Sequence, residues 1–143
     1  AIQVLDSAGT GYLTNIKNVS VGGAYVAALA KDGTVWSWGL GTSAQMGDGN
    51  KSTRKLPVQA KNVTDVEKMV TGHYHTLVLK KDGSVWVWGL NRRGQLGIGV
   101  TSTSTSNTNY AKTTAVQVKI DANTNLEIRN GKLGRILGGS IRL

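Results

Sequence analysis

Residues 22–49 slide onto residues 72–99 without a gap and match at 13 of 28 positions, so the chain carries one unit twice at a spacing of 50 residues. All four tryptophans fall inside it, in "DGTVWSWG" (32–39) and "DGSVWVWG" (82–89). A fixed period of roughly 20–50 residues marks a solenoid or a propeller, whose units cannot bury their apolar faces alone and stack on neighbours to do so.

Each unit reads as strands and turns. Asp32-Gly33 and Asp82-Gly83 predict two-residue hairpin turns, which require positive φ at both central positions. An apolar run precedes each turn, "YVAALAK" or "HTLVLKK", and alternation follows it. Trp36 and Trp38 point to one face with Val35 and Ser37 on the other, and Trp86 and Trp88 oppose Val85 and Val87. The four indoles are assigned to the core, each removing roughly 150–250 Å² from water.

"IQV" at residue 2, "VQA" at 58 and "VQV" at 116 precede polar connections that lead to Gly22, Gly72 and Gly138. The connections "LTNIKNVSVG" and "VTDVEKMVTG" each supply a further short strand. Four strands per unit predict an all-β fold of antiparallel four-stranded β-propeller blades, about two to three in this chain. The expected organisation is a closing strand of a preceding blade and a connection over 1–19, then a first full repeat over 20–60. A second full repeat over 61–120 carries a polar insertion at 101–115, and 121–143 forms a partial third repeat or a terminal hairpin about Asn130-Gly131. Propellers close with about four to eight blades. The expectation is therefore a segment of a longer chain, or a homo-oligomer whose copies complete one another through residues 1–5 and 136–143.

The segment "GHYHTLVLKKDGSVWVWGLNRRGQLGIG" (72–99) resembles the repeat of the regulator of chromosome condensation family in its bacterial form, G-x-x-H-T/S-x-A-L-x-x-D-G-x-V-W-x-W-G-x-N-x-x-G-Q-L-G-x-G. Residues 22–49 follow the same pattern with Tyr25 in place of its His, Gly41 in place of its Asn and Ala44 in place of a Gly. The resemblance implies a seven-bladed propeller with about 50 residues per blade. It also implies a structural rather than metal-binding role for the histidine. Family branches include an ultraviolet-B photoreceptor and a nucleotide exchange factor that docks on chromatin. The first uses tryptophan-bearing G-W-R-H-T phrases, but Gly72–Thr76 has neither its Trp nor its Arg, and no loop motif of the second is found.

The residues themselves point away from catalysis. Asp32 and Asp82 occupy turns and Asp48 a loop, so no carboxylate cluster forms, and the absence of cysteine removes disulfides and thiolate sites. His73 and His75 share a strand face as a metal pair could, yet no third ligand completes a shell. "DANTN" (121–125) copies half of a calcium loop, with Leu126 at the glycine position and Lys132 at the bidentate glutamate. "GQLG" and "GDG" lack the GK[ST] of a phosphate cradle. No cofactor is expected. Asn18, Asn50 and Asn62 meet the glycosylation pattern.

Seventeen basic against eight acidic residues give a net charge of +9, scattered rather than clustered and densest in the tail. Nucleic-acid binders usually add aromatic platforms or a recognition helix; here the aromatics read as core, so nucleic acid is not favoured. No stretch reaches the ~20 apolar residues of a membrane span, and the serine- and threonine-rich insertion favours an extracellular or cell-surface protein. The reading is a non-enzymatic protein-binding or assembly module. Its glycine-rich loops "GLGTSAQMGDGNKSTRK" and "GLNRRGQLGIGVTSTS" form the contact surface, and Arg54, Lys55, Arg92 and Arg93 make the charged contacts. The alternatives are a self-assembling subunit of a bacterial surface layer or filament completed by strand exchange, and a nucleotide-exchange or chromatin-type propeller.

Overall fold

A computed structural model describes residues 1–99, 110–121, 124–129, 132–137 and 140–141. Strands β1 (Ile16–Val21), β2 (Tyr25–Ala30), β3 (Val35–Gly39) and β4 (Arg54–Gln59) form one four-stranded antiparallel sheet in sequence order. Strands β5 (Val66–Thr71), β6 (His75–Lys80), β7 (Val85–Leu90) and β8 (Ala111–Gln117) repeat it. A third sheet joins β9 (Lys119–Asp121), β10 (Thr124–Arg129), β11 (Lys132–Leu137) and β12 (Ser140–Ile141). The pairings of the first three strands of these sheets are equivalent at the 50-residue offset: Ala28 faces Trp36 as Val78 faces Trp86, and Leu29 faces Val35 as Leu79 faces Val85.

The hairpins at Asp32 and Asp82 are not two-residue turns. Gly33 N–H bonds the Ala30 carbonyl and Ala30 N–H bonds that of Thr34, which closes a three-residue loop. Only the glycines have positive φ, +84° at Gly33 and +90° at Gly83, the pattern of a turn followed by a bulge glycine. The aspartates act through their side chains instead. Asp32 Oδ1 accepts from Thr34 N–H and Oγ1–H, as Asp82 Oδ1 does from Ser84. The same hydroxyls then receive the indole N–H of Trp36 and Trp86. One short phrase therefore fixes both the turn and the orientation of the first tryptophan after it.

Other boundaries also differ from the expected ones. The first sheet begins at Ile16, ahead of residue 20, and residues 1–5 form no strand; Leu5 makes an isolated bridge to Tyr12. Residues 111–115 of the polar insertion belong to β8, because alternating Ala111, Thr113 and Ala115 extend an edge that pairs with β7; residues 101–109 lie outside the described residues. In the tail, β10 pairs with β11 from Thr124↔Leu137 to Arg129↔Lys132. The Asn130-Gly131 connection lies outside the described residues, as do residues 122 and 123 of "DANTN".

Both faces of the central strands are used. Tyr25, Ala27, Leu29 and Val35 of the first sheet pack with Val66, Met69, Val78 and Trp88 of the second in one apolar core. Ser37 lies on the same face as Val35, fully buried, and its hydroxyl has no hydrogen-bond partner; the second repeat has Val87 there. Gly22 explains the glycine three residues before Tyr25, since a methyl group at Gly22 would overlap the buried Tyr25 ring.

Two stability outcomes follow from this packing. Ser37→Ala removes an unsatisfied buried hydroxyl and is expected to raise unfolding stability by about 1 kcal/mol in urea titrations. Gly22→Ala is expected to cost about 2 kcal/mol by overpacking; a variant as stable as the parent would show that the ring has room to move.

Candidate interaction surface

The contact between the first two sheets is the reference for every other surface of the molecule. Trp88 is 0% exposed and its indole N–H donates to the Gln45 carbonyl at 2.9 Å. The indole lies so close over Gly47 that a Cβ there would sit 2.7 Å from Nε1. Gly47 belongs to the GQLG-type phrase of the first repeat and Trp88 to the WxWG phrase of the second, so the two phrases are halves of one joint. Tyr25 Oη–H crosses the same joint to the His75 carbonyl at 2.6 Å and lies 3.0 Å from Thr76 Oγ1. Burial pushes the Tyr25 phenol up to about 12, despite the Thr76 bond, so it stays a neutral donor. Backbone bonds from Val66 N–H to the Gly33 carbonyl and from Gly23 N–H to the His73 carbonyl complete the seam.

Trp86 is half-buried beside this core, with the Lys80 ammonium 4.6 Å from its ring centroid. Trp36 and Trp38, expected in the core, are also only half-buried. Register places Val19, Ala28 and Trp36 in one row and Val21, Val26 and Trp38 in the next. The equivalent rows of the second sheet, Met69–Val78–Trp86 and Thr71–Thr76–Trp88, lie against the first sheet. In the first sheet the β1 ends of these rows are exposed, Val19 at 54% and Val21 at 71%, while Ala28 between Val19 and Trp36 is buried. Among the described residues Trp38 has no counterpart of the Gln45 carbonyl.

The glycine-rich loops gather at the ends of β3 and β7. Gln45 Oε1 accepts from Ser43 N–H and Gln95 Oε1 from Arg93 N–H, both at 2.8 Å, so each glutamine ties its own loop. The four basic residues proposed as contacts are placed differently from one another. Arg54 is engaged internally: its Nε donates to Asp48 Oδ2 at 2.9 Å, and its Nη2 forms an ion pair with the same carboxylate. Asp48, a loop residue in the sequence reading, is thus the buried anchor of β4. Lys55 is exposed on β4, and Arg92 and Arg93 are exposed on the second loop. The Arg92 guanidinium lies 5.1 Å from the Tyr110 ring centroid and the Lys51 ammonium 5.4 Å from it, so Tyr110 links the two loops. Neither Tyr110 nor the Asp48–Arg54 pair was evident from the sequence, since both depend on loop closure.

The remaining candidates stay apart. His75 is half-buried, which lowers its pKa, while His73 is exposed and stacks edge-on against Tyr74 at 4.3 Å. Among the described residues no group of three or more His, Cys, Asp or Glu could hold a metal ion. Asn18, Asn50 and Asn62 are exposed. No helix among the described residues is long and apolar enough to cross a membrane.

Four-stranded meanders joined face to face in this way define blades of a β-propeller, present here as part of one. The family model described as "Regulator of chromosome condensation (RCC1) repeat" matches residues 32–79 and 82–118, and a second model of the same description matches 16–45 and 66–95. The chain belongs to the regulator of chromosome condensation repeat family. Yeast RCC1 (Prp20), solved bound to Kap60, is similar in fold with a TM-score of 0.62 at 22% identity. The match covers 86% of this chain and 30% of that one. Prp20p from Saccharomyces cerevisiae, described with its binding to Gsp1p and histones, gives 0.64 at 20% identity over 86% and 31%. Human WBSCR16 gives 0.63 at 16% identity over 87% and 34%. The chain thus spans about a third of the length of these propellers. A comparison with curated proteins found no match.

The part-buried Asp48–Arg54 ion pair generates a pH-dependent outcome. Burial alone would raise the Asp48 carboxyl, but bonds from Arg54 and Asn50 outweigh it and hold the group below the 3.8 usual for aspartate. A carboxylate lowered in the fold stabilises it above the unfolded pKa, and that contribution disappears as pH falls through the folded value. Arg54→Met is expected to cost about 2 kcal/mol at neutral pH by urea unfolding, and the difference from the parent should shrink below about pH 4. A pH-independent difference would show that lost packing, not the pair, sets the cost.

Proposed function

We propose that the chain is a non-catalytic binding and assembly module whose Trp36–Trp38 face receives a further blade of the same repeat type. One observation carries this reading: Trp88 is fully buried against a neighbouring sheet, whereas its counterpart Trp38 is half-buried and the rows of Trp36 and Trp38 end on exposed Val19 and Val21. The repeat specifies what fits such a face. The counterpart of Tyr25, Ala27, Leu29 and Val35 supplies the apolar surface, and a GQLG-type loop supplies a carbonyl for the Trp38 N–H. Protein partners named for its structural relatives, Kap60 for yeast RCC1 and Gsp1p and histones for Prp20p, agree with a protein-binding role.

Non-catalytic action is supported by how the carboxylates are engaged. Asp32 and Asp82 hold their turns, and Asp48 holds Arg54. Exposed Lys55, Arg92 and Arg93 furnish charged contacts beside the assembled blades.

Sedimentation velocity tests the assembly reading. The chain is expected to associate in a concentration-dependent way. Val21→Lys, at a 71% exposed position, should weaken association at least about tenfold by placing an unpaired charge in the contact. Its circular dichroism and urea midpoint should match the parent. A parent that stays monomeric at every concentration, or a Val21→Lys variant that associates as well, would overturn the assignment of this face.

A further inference from the structure

The two repeats differ at one position that bears directly on a tryptophan. Trp86 and Trp36 have the same indole orientation, because each donates its N–H to the hydroxyl two residues before it, at 2.8 Å to Ser84 Oγ and 3.1 Å to Thr34 Oγ1. Over the Trp86 ring stands the Lys80 ammonium, 4.6 Å from the centroid. The equivalent of Lys80 is Ala30, and among the described residues no cation stands over Trp36. The space in front of it is instead a cleft of about 510 Å³, lined by both Ala30 and Trp36.

The other walls suit the group that is missing. Asp32 uses Oδ1 for Thr34, and among the described residues its Oδ2 has no hydrogen-bond partner. The N-terminal segment folds back through the Leu5↔Tyr12 bridge and brings Asp6 and the half-exposed Tyr12 ring to the cleft. Lys31 is the one cation in the lining, so two carboxylates outnumber it in a chain whose net charge is +9. A cation over an indole face is attracted by the ring quadrupole, and more strongly where carboxylates stand beside it.

We infer that this cleft receives a lysine side chain from a partner polypeptide, its ammonium over Trp36 and beside Asp32, as Lys80 stands over Trp86 within the chain. The inference goes beyond the assembly role proposed above, since within the chain the lysine over the indole belongs to the tryptophan's own blade and not to the neighbour that docks on it. Its test reads Trp36 directly and is separate from whether copies associate.

The probe is the peptide acetyl-Gly-Gly-Lys-Gly-Gly-amide, titrated into the ¹⁵N-labelled chain while the four indole N–H resonances are followed. The Trp36 resonance should move saturably at peptide concentrations on the order of 10 mM, the range for one small-ligand contact. The Trp86 resonance, already covered by Lys80, should not. A norleucine peptide of the same length should leave Trp36 unmoved. Ala30→Lys, which restores the arrangement of the second repeat, should weaken binding at least about tenfold. Asp32→Asn, which keeps the turn bonds, should weaken it about threefold. An equal response to norleucine, no response to lysine, or unchanged binding in Ala30→Lys would each overturn the inference; Ala30→Lys is to be compared only where its circular dichroism matches the parent.

Discussion

The fold depends on one joint, the insertion of Trp88 between two sheets with its N–H on the Gln45 carbonyl. Burying a ring of roughly 150–250 Å² at about 25 cal/mol per Å² stabilises the pair of sheets by about 4–6 kcal/mol before side-chain ordering is counted. An indole also carries a donor that must be satisfied when dry. Gly47 solves both problems together: it has no Cβ to exclude the ring, and its φ of +69° helps turn the loop whose Gln45 carbonyl receives the N–H. The conspicuous phrases of the repeat are thus not two features of one blade. They are the two sides of a contact between consecutive blades, which is why they occur together and in a fixed order.

The differences between the copies show how much latitude the joint allows. Ala44 holds φ +66° where the second repeat has Gly94 at +78°. A left-handed alanine costs on the order of 1 kcal/mol, which this buried position absorbs. Gly41 stands where the second repeat has Asn91, and a Cβ there would run into the Ser52 carbonyl. Asn91 meanwhile caps its own loop by accepting from Leu96 N–H at 3.1 Å. The first loop has given up that cap for a close backbone crossing, and its Asp48–Arg54 pair supplies a different tie to β4. Both closures lead to a fourth strand that pairs in the same register, Gln59 opposite Trp36 and Gln117 opposite Trp86.

Strands and their pairing were legible in the sequence because period-two alternation and Asp-Gly turns are local signals. "VWSWG" and "VWVWG" appear as β3 and β7. The turn type was misjudged because Asp-Gly also suits a bulge loop in which only the glycine is left-handed, and Lys31 completes that loop. What the alternation could not tell is which face has a neighbour. Trp38 and Trp88 stand at equivalent positions, yet one is half-buried and the other fully buried, since burial is decided by the adjacent sheet. The loop surface was harder still. Arg54 and Arg92 are both basic residues near a glycine loop, and only three-dimensional closure separates the one that neutralises Asp48 from the one that lies over Tyr110.

The third sheet separates the backbone part of the joint from its side-chain part. Val66 N–H bonds the Gly33 carbonyl where the second sheet meets the first, and Ile128 N–H bonds the Gly83 carbonyl where the third meets the second. Ser84 and Glu127 form a bridge at the same place. Yet residues 119–143 contain no tryptophan. The carbonyl of a hairpin glycine is offered by any blade with that turn, whatever side chains approach it, because a peptide group is common to all sequences. The indole insertion is available only to a blade that carries WxWG and meets a GQLG-type loop. Docking through the glycine carbonyl therefore sets where a neighbouring sheet lies, and the tryptophan determines whether that neighbour is another repeat.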